Sequence, residues 1–100
     1  MIDPNGRVVL ISGANRGIGL AIARNLYRAG FSLSLASRKV SALDSIVEDW
    51  SMERILTTKF EAMDKSTHSD WVEKTLVKFG RIDCLINNAG IVESDSVDDE

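Results

Sequence analysis

The stretch "VVLISGANRGIGLAIARNLYRAG", residues 8–30, decides the fold. It continues from Arg7 as "RVVLIS" (7–12), an aliphatic and β-branched run that is apolar on both faces, the pattern of a central strand. Glycines follow at 13, 17 and 19. From Ile18 the hydrophobic period becomes helical: Ile18, Ile22, Leu26 and Ala29 share one stripe, with Arg24, Asn25 and Arg28 turned away. Gly30 then supplies a left-handed stop. A strand that turns sharply into a helix needs residues tolerant of unusual backbone angles. It also needs positions without a Cβ, where a ligand approaches the main chain or helix and strand pack closely. Gly13, Gly17 and Gly19 suit these tasks.

Beyond residue 30 the same alternation repeats. "FSLSLAS" (31–37) reads as a second strand, with Phe31, Leu33 and Leu35 separated by small residues. Leu43, Ile46, Val47 and Trp50 keep helical spacing behind Ser41, which with Asp44 resembles a capping box. "RILTTKFE" (54–61) gives a third strand. Trp71, Val72, Thr75, Leu76 and Phe79 stripe a third helix that stops at Gly80, and Asp64 is placed to cap it. "IDCLIN" (82–87) is a fourth strand, apolar enough to be buried on both sides, with Cys84 a small residue inside it. Strands alternating with helices over short connections predict a doubly wound, Rossmann-type α/β fold with a parallel sheet ordered 3-2-1-4. Ligands of such sheets bind at the carboxyl edge where the order reverses, between strands 1 and 4. The two glycine-bearing loops, "SGANRGIG" and "NNAG", follow those two strands.

A glycine loop opening a helix presents free N–H groups and the positive end of the helix dipole, a setting that attracts a pyrophosphate. The glycines alone are also explained by a tight strand-to-helix turn. Their place after the first strand of a β-α-β unit adds the reading of dinucleotide binding.

The spacing Gly-x-x-x-Gly-x-Gly, standing as Ser12-Gly13-Ala14-Asn15-Arg16-Gly17-Ile18-Gly19, together with Asn87-Asn88-Ala89-Gly90, resembles the short-chain dehydrogenase/reductase family. That family carries a TGxxxGxG loop and an NNAG turn at these places, and "FGRIDCLINNAG" fits it as well. Ser12 keeps the hydroxyl of the usual Thr. The resemblance implies cofactor contacts from Gly13, Asn15, Arg16, Gly17, Ile18 and Gly19. It also implies an adenine-side contact from Glu61 and Ala62, where Asp and Val are more usual, and ribose contacts from Asn87 and Ala89. Gly90 would let the chain pass close to the cofactor, and Asn88 would pin neighbouring strand ends together.

The region after the second strand bears on which cofactor. An NAD site places an Asp or Glu roughly 20 residues beyond the glycines to hold the ribose 2′-hydroxyl; here it reads Ser37-Arg38-Lys39, without a carboxylate. Arg38 offers a planar fork to a 2′-phosphate, with Ser37 as hydroxyl donor and Arg16 as a second cation. This favours NADP over NAD and resembles the NADP-preferring members of the family. The alternative is that Arg38 and Lys39 simply solvate a strand end.

Composition bounds the remainder. A chain of 100 residues with 44% hydrophobic content holds one modest core, so residues 1–100 form one dinucleotide-binding half-domain. The net charge is −3, and the five carboxylates of "ESDSVDDE" leave +2 on residues 1–92, a balance unlike a nucleic-acid surface. One cysteine and one histidine, His68, assemble no metal site. No run is long enough to span a bilayer and no secretory signal is visible, so a cytoplasmic protein without membrane attachment is expected.

The resemblance implies hydride transfer between nicotinamide and a carbonyl or secondary alcohol, with a Ser and a Tyr-x-x-x-Lys pair downstream of NNAG, and a dimer or tetramer. The single tyrosine, Tyr27, is followed four places on by Phe31, so none of the 100 residues is catalytic and the chain reads as the cofactor-binding half of a longer reductase. Two other readings stand beside this one: a non-catalytic dinucleotide-binding module, and a Rossmann domain for a flavin dinucleotide or methyl donor.

Overall fold

A computed structural model describes residues 5–88. Strand β1 (Val8–Ser12) leads into helix α1 (Gly17–Ala29), then β2 (Ser32–Ser37), α2 (Val40–Ile46), a 3-10 turn (Met52–Arg54), β3 (Ile55–Lys59), α3 (Lys65–Phe79) and β4 (Cys84–Asn87). The strands form one parallel sheet in the order β3-β2-β1-β4, as the alternation predicts. No helix among the described residues is long and apolar enough to cross a membrane.

Alternation along the central strands separates two cores. Val9, Ile11, Leu33, Leu35 and Ile55 face α1 and α2, where Ala23, Leu43 and Val47 complete a buried cluster. Val8, Leu10 and Ala36 face the other way, against Phe60 and Trp71. The small residues between the leucines of β2 serve this second layer: the Trp71 indole N–H donates to the Ser34 hydroxyl (2.8 Å), which meets Thr75 Oγ1 at 2.7 Å. Each buried polar atom of this trio is thereby satisfied, which fixes where α3 sits on the sheet.

Both long helices end on glycines in the left-handed region, Gly30 (φ 111°) and Gly80 (φ 79°), which return N–H groups to the last turn. The base of the first layer is clamped by Arg54. Its guanidinium lies 4.1 Å over the Tyr27 ring and donates to the carbonyls of Tyr27 and Phe31. Tyr27 also stacks on Trp50 (4.5 Å) and accepts the Ser51 N–H at its hydroxyl (2.7 Å).

Four local expectations are corrected. Of the stripe expected on α1, Ile22 and Leu26 pack against the core, but Ile18 is 66% exposed and Ala29 is exposed, and the fully buried residues are Gly19 and Ala23. Close approach of helix to strand leaves room only for small side chains there. Helix α2 begins at Val40 and ends at Ile46, with no side-chain cap, so Ser41 caps nothing and Trp50 lies beyond the helix. The turn before it is already closed by Ser37, whose hydroxyl takes the Lys39 N–H. Strand β4 is not buried on both sides: Leu85 is 58% exposed, and Cys84 is likewise exposed rather than internal. Among the described strands β4 is an edge, bonded to β1 alone. Finally, Val72 and Leu76 fall on the helical stripe yet stay exposed, because Trp71 and Thr75 make the contact with the sheet.

Candidate functional site

In a parallel sheet every strand delivers its carboxyl end to the same edge, so the loops after β1, β2, β3 and β4 converge there. Hydrogen bonds link them in sheet order. Asn88 Nδ2 donates to the Gly13 carbonyl (3.3 Å), and Gly13 and Ala14 donate to the Ala36 carbonyl (2.8 and 3.3 Å). Phe60 N–H donates to the Ser37 carbonyl (2.9 Å). The Ser12 hydroxyl donates to Asn87 Oδ1 (2.9 Å), joining the ends of β1 and β4 directly.

The three glycines of the first loop have separate reasons. Gly13 (φ 64°) and Gly17 (φ 61°) occupy the left-handed region, which residues with a Cβ adopt at a cost. A Cβ on Gly17 would meet nothing within 4 Å among the described residues, which leave the backbone there open. A Cβ on Gly19 would overlap the Gly13 carbonyl oxygen and approach Asn88 Nδ2 to 2.8 Å. Helix α1 starts behind Arg16 in extended backbone, with no side-chain cap and no acidic residue in its first turn. The positive end of the helix is therefore presented at the loop without a carboxylate of its own, beside the exposed Arg16 and Ile18.

At the end of β2, Ser37 is buried and its hydroxyl serves the local turn, donating to the Lys39 carbonyl (3.0 Å) while accepting the Lys39 N–H (3.1 Å). Arg38 extends outward, with its Nη1 3.9 Å from Glu61 Oε2 across the gap to the β3 loop. The other Glu61 oxygen, Oε1, is enclosed without a donor among the described residues, and so is Asn15 Oδ1 in the glycine loop. Ala62 is exposed, and its carbonyl lies 3.1 Å from His68 Nε2, whose ring stacks on Phe60 (4.7 Å). The residues singled out in the sequence, Gly13 to Gly19, Ser37, Arg38, Glu61, Ala62 and Asn87, thus occupy one edge; Ala89 and Gly90 lie outside the described residues.

Two carboxylates brace this edge and its opposite. Asp64 caps α3 as the sequence suggests: its Oδ1 accepts the Ser66 hydroxyl (2.7 Å) and N–H (3.0 Å), bonds that hold its carboxyl below the ordinary range. Asp83 was not singled out by the sequence. It accepts two bonds from Arg81 (2.6 and 2.9 Å) and one from the Val8 N–H (2.8 Å), with Arg7 3.7 Å away. The Arg81 bonds, then the Val8 bond, lower its carboxyl pKa, and Asp83 returns its own N–H to the Val8 carbonyl. The spacing Arg81-x-Asp83 just before an apolar strand was the available signal.

A parallel sheet of this order, with a glycine loop between its first strand and an uncapped helix, defines a Rossmann-type α/β domain. The chain belongs to the short-chain dehydrogenase family, whose family model matches residues 7–100. An agropine synthesis reductase of Rhizobium rhizogenes is 49% identical over 86 residues, which are 86% of this chain and 20% of that protein. A short-chain dehydrogenase/reductase from Brucella melitensis, described as a glucose/ribitol dehydrogenase, superposes with a TM-score of 0.86 at 33% identity, over 92% of this chain and 39% of that one. The C-domain of a bacterial malonyl-CoA reductase, solved with NADP, gives a TM-score of 0.77 at 35% identity, over 89% of this chain and 15% of that one. The chain spans 20% of the length of the agropine synthesis reductase and 43% of that of an oxidoreductase of Staphylococcus haemolyticus, which is 31% identical over 99% of this chain.

Proposed function

We propose that this chain is the dinucleotide-binding portion of an NADP(H)-dependent oxidoreductase acting between a carbonyl and a secondary alcohol. The family is one of oxidoreductases, and similar folds are found with NADH as well as with NADP, so the fold alone does not select the cofactor. The observation that carries the choice is Arg38 at the carboxyl end of β2, where residues 37–39 include no carboxylate. A guanidinium there pairs with a 2′-phosphate, whereas an acidic residue would bond the free hydroxyl of NAD.

The residues present fit such a cofactor. Open space before Gly17 and the uncapped start of α1 suit a pyrophosphate. The enclosed Asn15 Oδ1 and Glu61 Oε1 are acceptors without donors among the described residues; a sugar hydroxyl and the adenine amino group would supply them. Arg38, with Arg16 beside the loop, reads the phosphate, while Ser37 shapes the turn that presents Arg38. When bound, the nicotinamide ring donates or accepts the hydride. Tyr27 takes no part in proton transfer, since its hydroxyl is occupied by Ser51 and its ring lies between Trp50 and Arg54. The groups that exchange a proton with substrate are assigned to a longer parent protein.

The test is a pair of titrations on the full-length protein, NADPH against NADH. One charge-assisted bond contributes about 1.5–3 kcal/mol, so NADPH is expected to bind about ten- to a hundredfold more tightly, toward the lower end because Arg38 is partly exposed. Arg38→Asp reverses the order. Equal affinities in the unmodified protein overturn the assignment.

A further inference from the structure

We infer that Glu61 sets the strength of the 2′-phosphate preference by partly neutralising Arg38, an inference that rests on the reading of Arg38 as the phosphate-binding group. The two side chains reach toward each other from adjacent strand ends, Nη1 to Oε2 at 3.9 Å, and each is about a third exposed (39% and 31%). That separation is too long for a directional hydrogen bond. Glu61 therefore contributes charge near the guanidinium and does not fix its orientation through this contact. A phosphate seated on Arg38 meets a carboxylate within a few ångströms, in a partly screened setting where like charges repel measurably. Removing the carboxylate charge should strengthen phosphate binding, whereas a carboxylate that aligned Arg38 would do the opposite.

The side chain can be changed without disturbing the turn. Thr67 holds the Glu61 main chain, accepting its N–H at Oγ1 (3.0 Å), while its hydroxyl proton is shared between the Asp64 carbonyl (2.7 Å) and the Glu61 carbonyl (3.1 Å). Glu61→Gln keeps the shape and removes the charge.

The experiment is equilibrium titration of the full-length protein with NADPH and NADH, followed by nucleotide fluorescence, for the unmodified protein, Glu61→Gln, Arg38→Leu and the double variant. Glu61→Gln is expected to raise the NADPH-to-NADH affinity ratio about two- to fivefold, the range of a partly exposed charge pair, whatever the change at the adenine contact that the two nucleotides share. The gain should shrink in the double variant, where no guanidinium holds the phosphate beside Glu61. Equal weakening of both nucleotides would place Glu61 on the adenine alone and overturn the inference, and a loss confined to NADPH would overturn it by making Glu61 a support for Arg38. Failure of the underlying reading looks different: Arg38→Leu alone would then leave the NADPH-to-NADH ratio unchanged.

Discussion

Gly19 shows how two opposing residue-level effects are weighed. It lies in the first turn of α1, where replacing glycine by alanine ordinarily gains up to about 1 kcal/mol of helix propensity. The added Cβ would overlap the Gly13 carbonyl, a backbone atom that cannot rotate aside. Overpacking of this kind costs about 1–3 kcal/mol, so the collision outweighs the propensity. Gly19→Ala is expected to lower the urea midpoint and to loosen the glycine loop. Unchanged or raised stability would show that Gly19 and the Gly13 carbonyl are not in the contact described. The roles of these glycines were legible because left-handed backbone and close approach exclude most other residues. The role of Ser37 was not, since the direction of a hydroxyl depends on the turn it sits in, and that turn is set by Lys39.

Elements were legible in type and order, less so in their ends and exposed faces. The large apolar residues mark helix α1 in the sequence, and Ile22 and Leu26 among them pack on the core, but the fully buried positions are Gly19 and Ala23, whose smallness gives no hydrophobic signal. Apolarity marks strand β4 in the sequence, while the start of its ladder with β1 is fastened by the polar Asp83 just ahead of it. That attachment has a pH signature. The folded carboxyl of Asp83 titrates below its unfolded value because Arg81 and the Val8 N–H favour the ionised form. Its stabilisation is complete above the unfolded pKa, about 3.9, and is lost as pH falls through the lower folded value. Asp83→Asn should therefore be less stable than the unmodified protein by a constant margin between pH 7 and 5, a margin that narrows in more acid solution. Comparing the two proteins removes the parallel contribution of Asp64, which has the same sign. A gap in urea midpoint that stays constant down to the acid limit of folding would dissociate Asp83 from this role.

The whole molecule joins two layers of unequal closure. On one face α1 and α2 cover the sheet, and Val9, Ile11, Leu33, Leu35 and Ile55 are buried with Leu43 and Val47. On the other face α3 covers β1 and β2 through Trp71 but leaves Val72, Leu76 and Val77 in solvent, the last 81% exposed. Leu85 pairs in register with Leu10, which faces α3, so it adds to the same side, and Ile82 precedes it. The sequence pattern made these positions apolar without stating which neighbour covers them, and this is why the strand order was readable and the burial of β4 was not. Several exposed aliphatic side chains beside an edge strand form a surface that associates in water. A polypeptide of these 100 residues is accordingly expected to sediment as a concentration-dependent mixture of species. Val77→Lys and Leu85→Lys together should shift it toward monomer, since each places a charge where association would bury it without a partner. A single monomeric boundary at every concentration for the unsubstituted polypeptide would mean that this face is already closed by the chain itself.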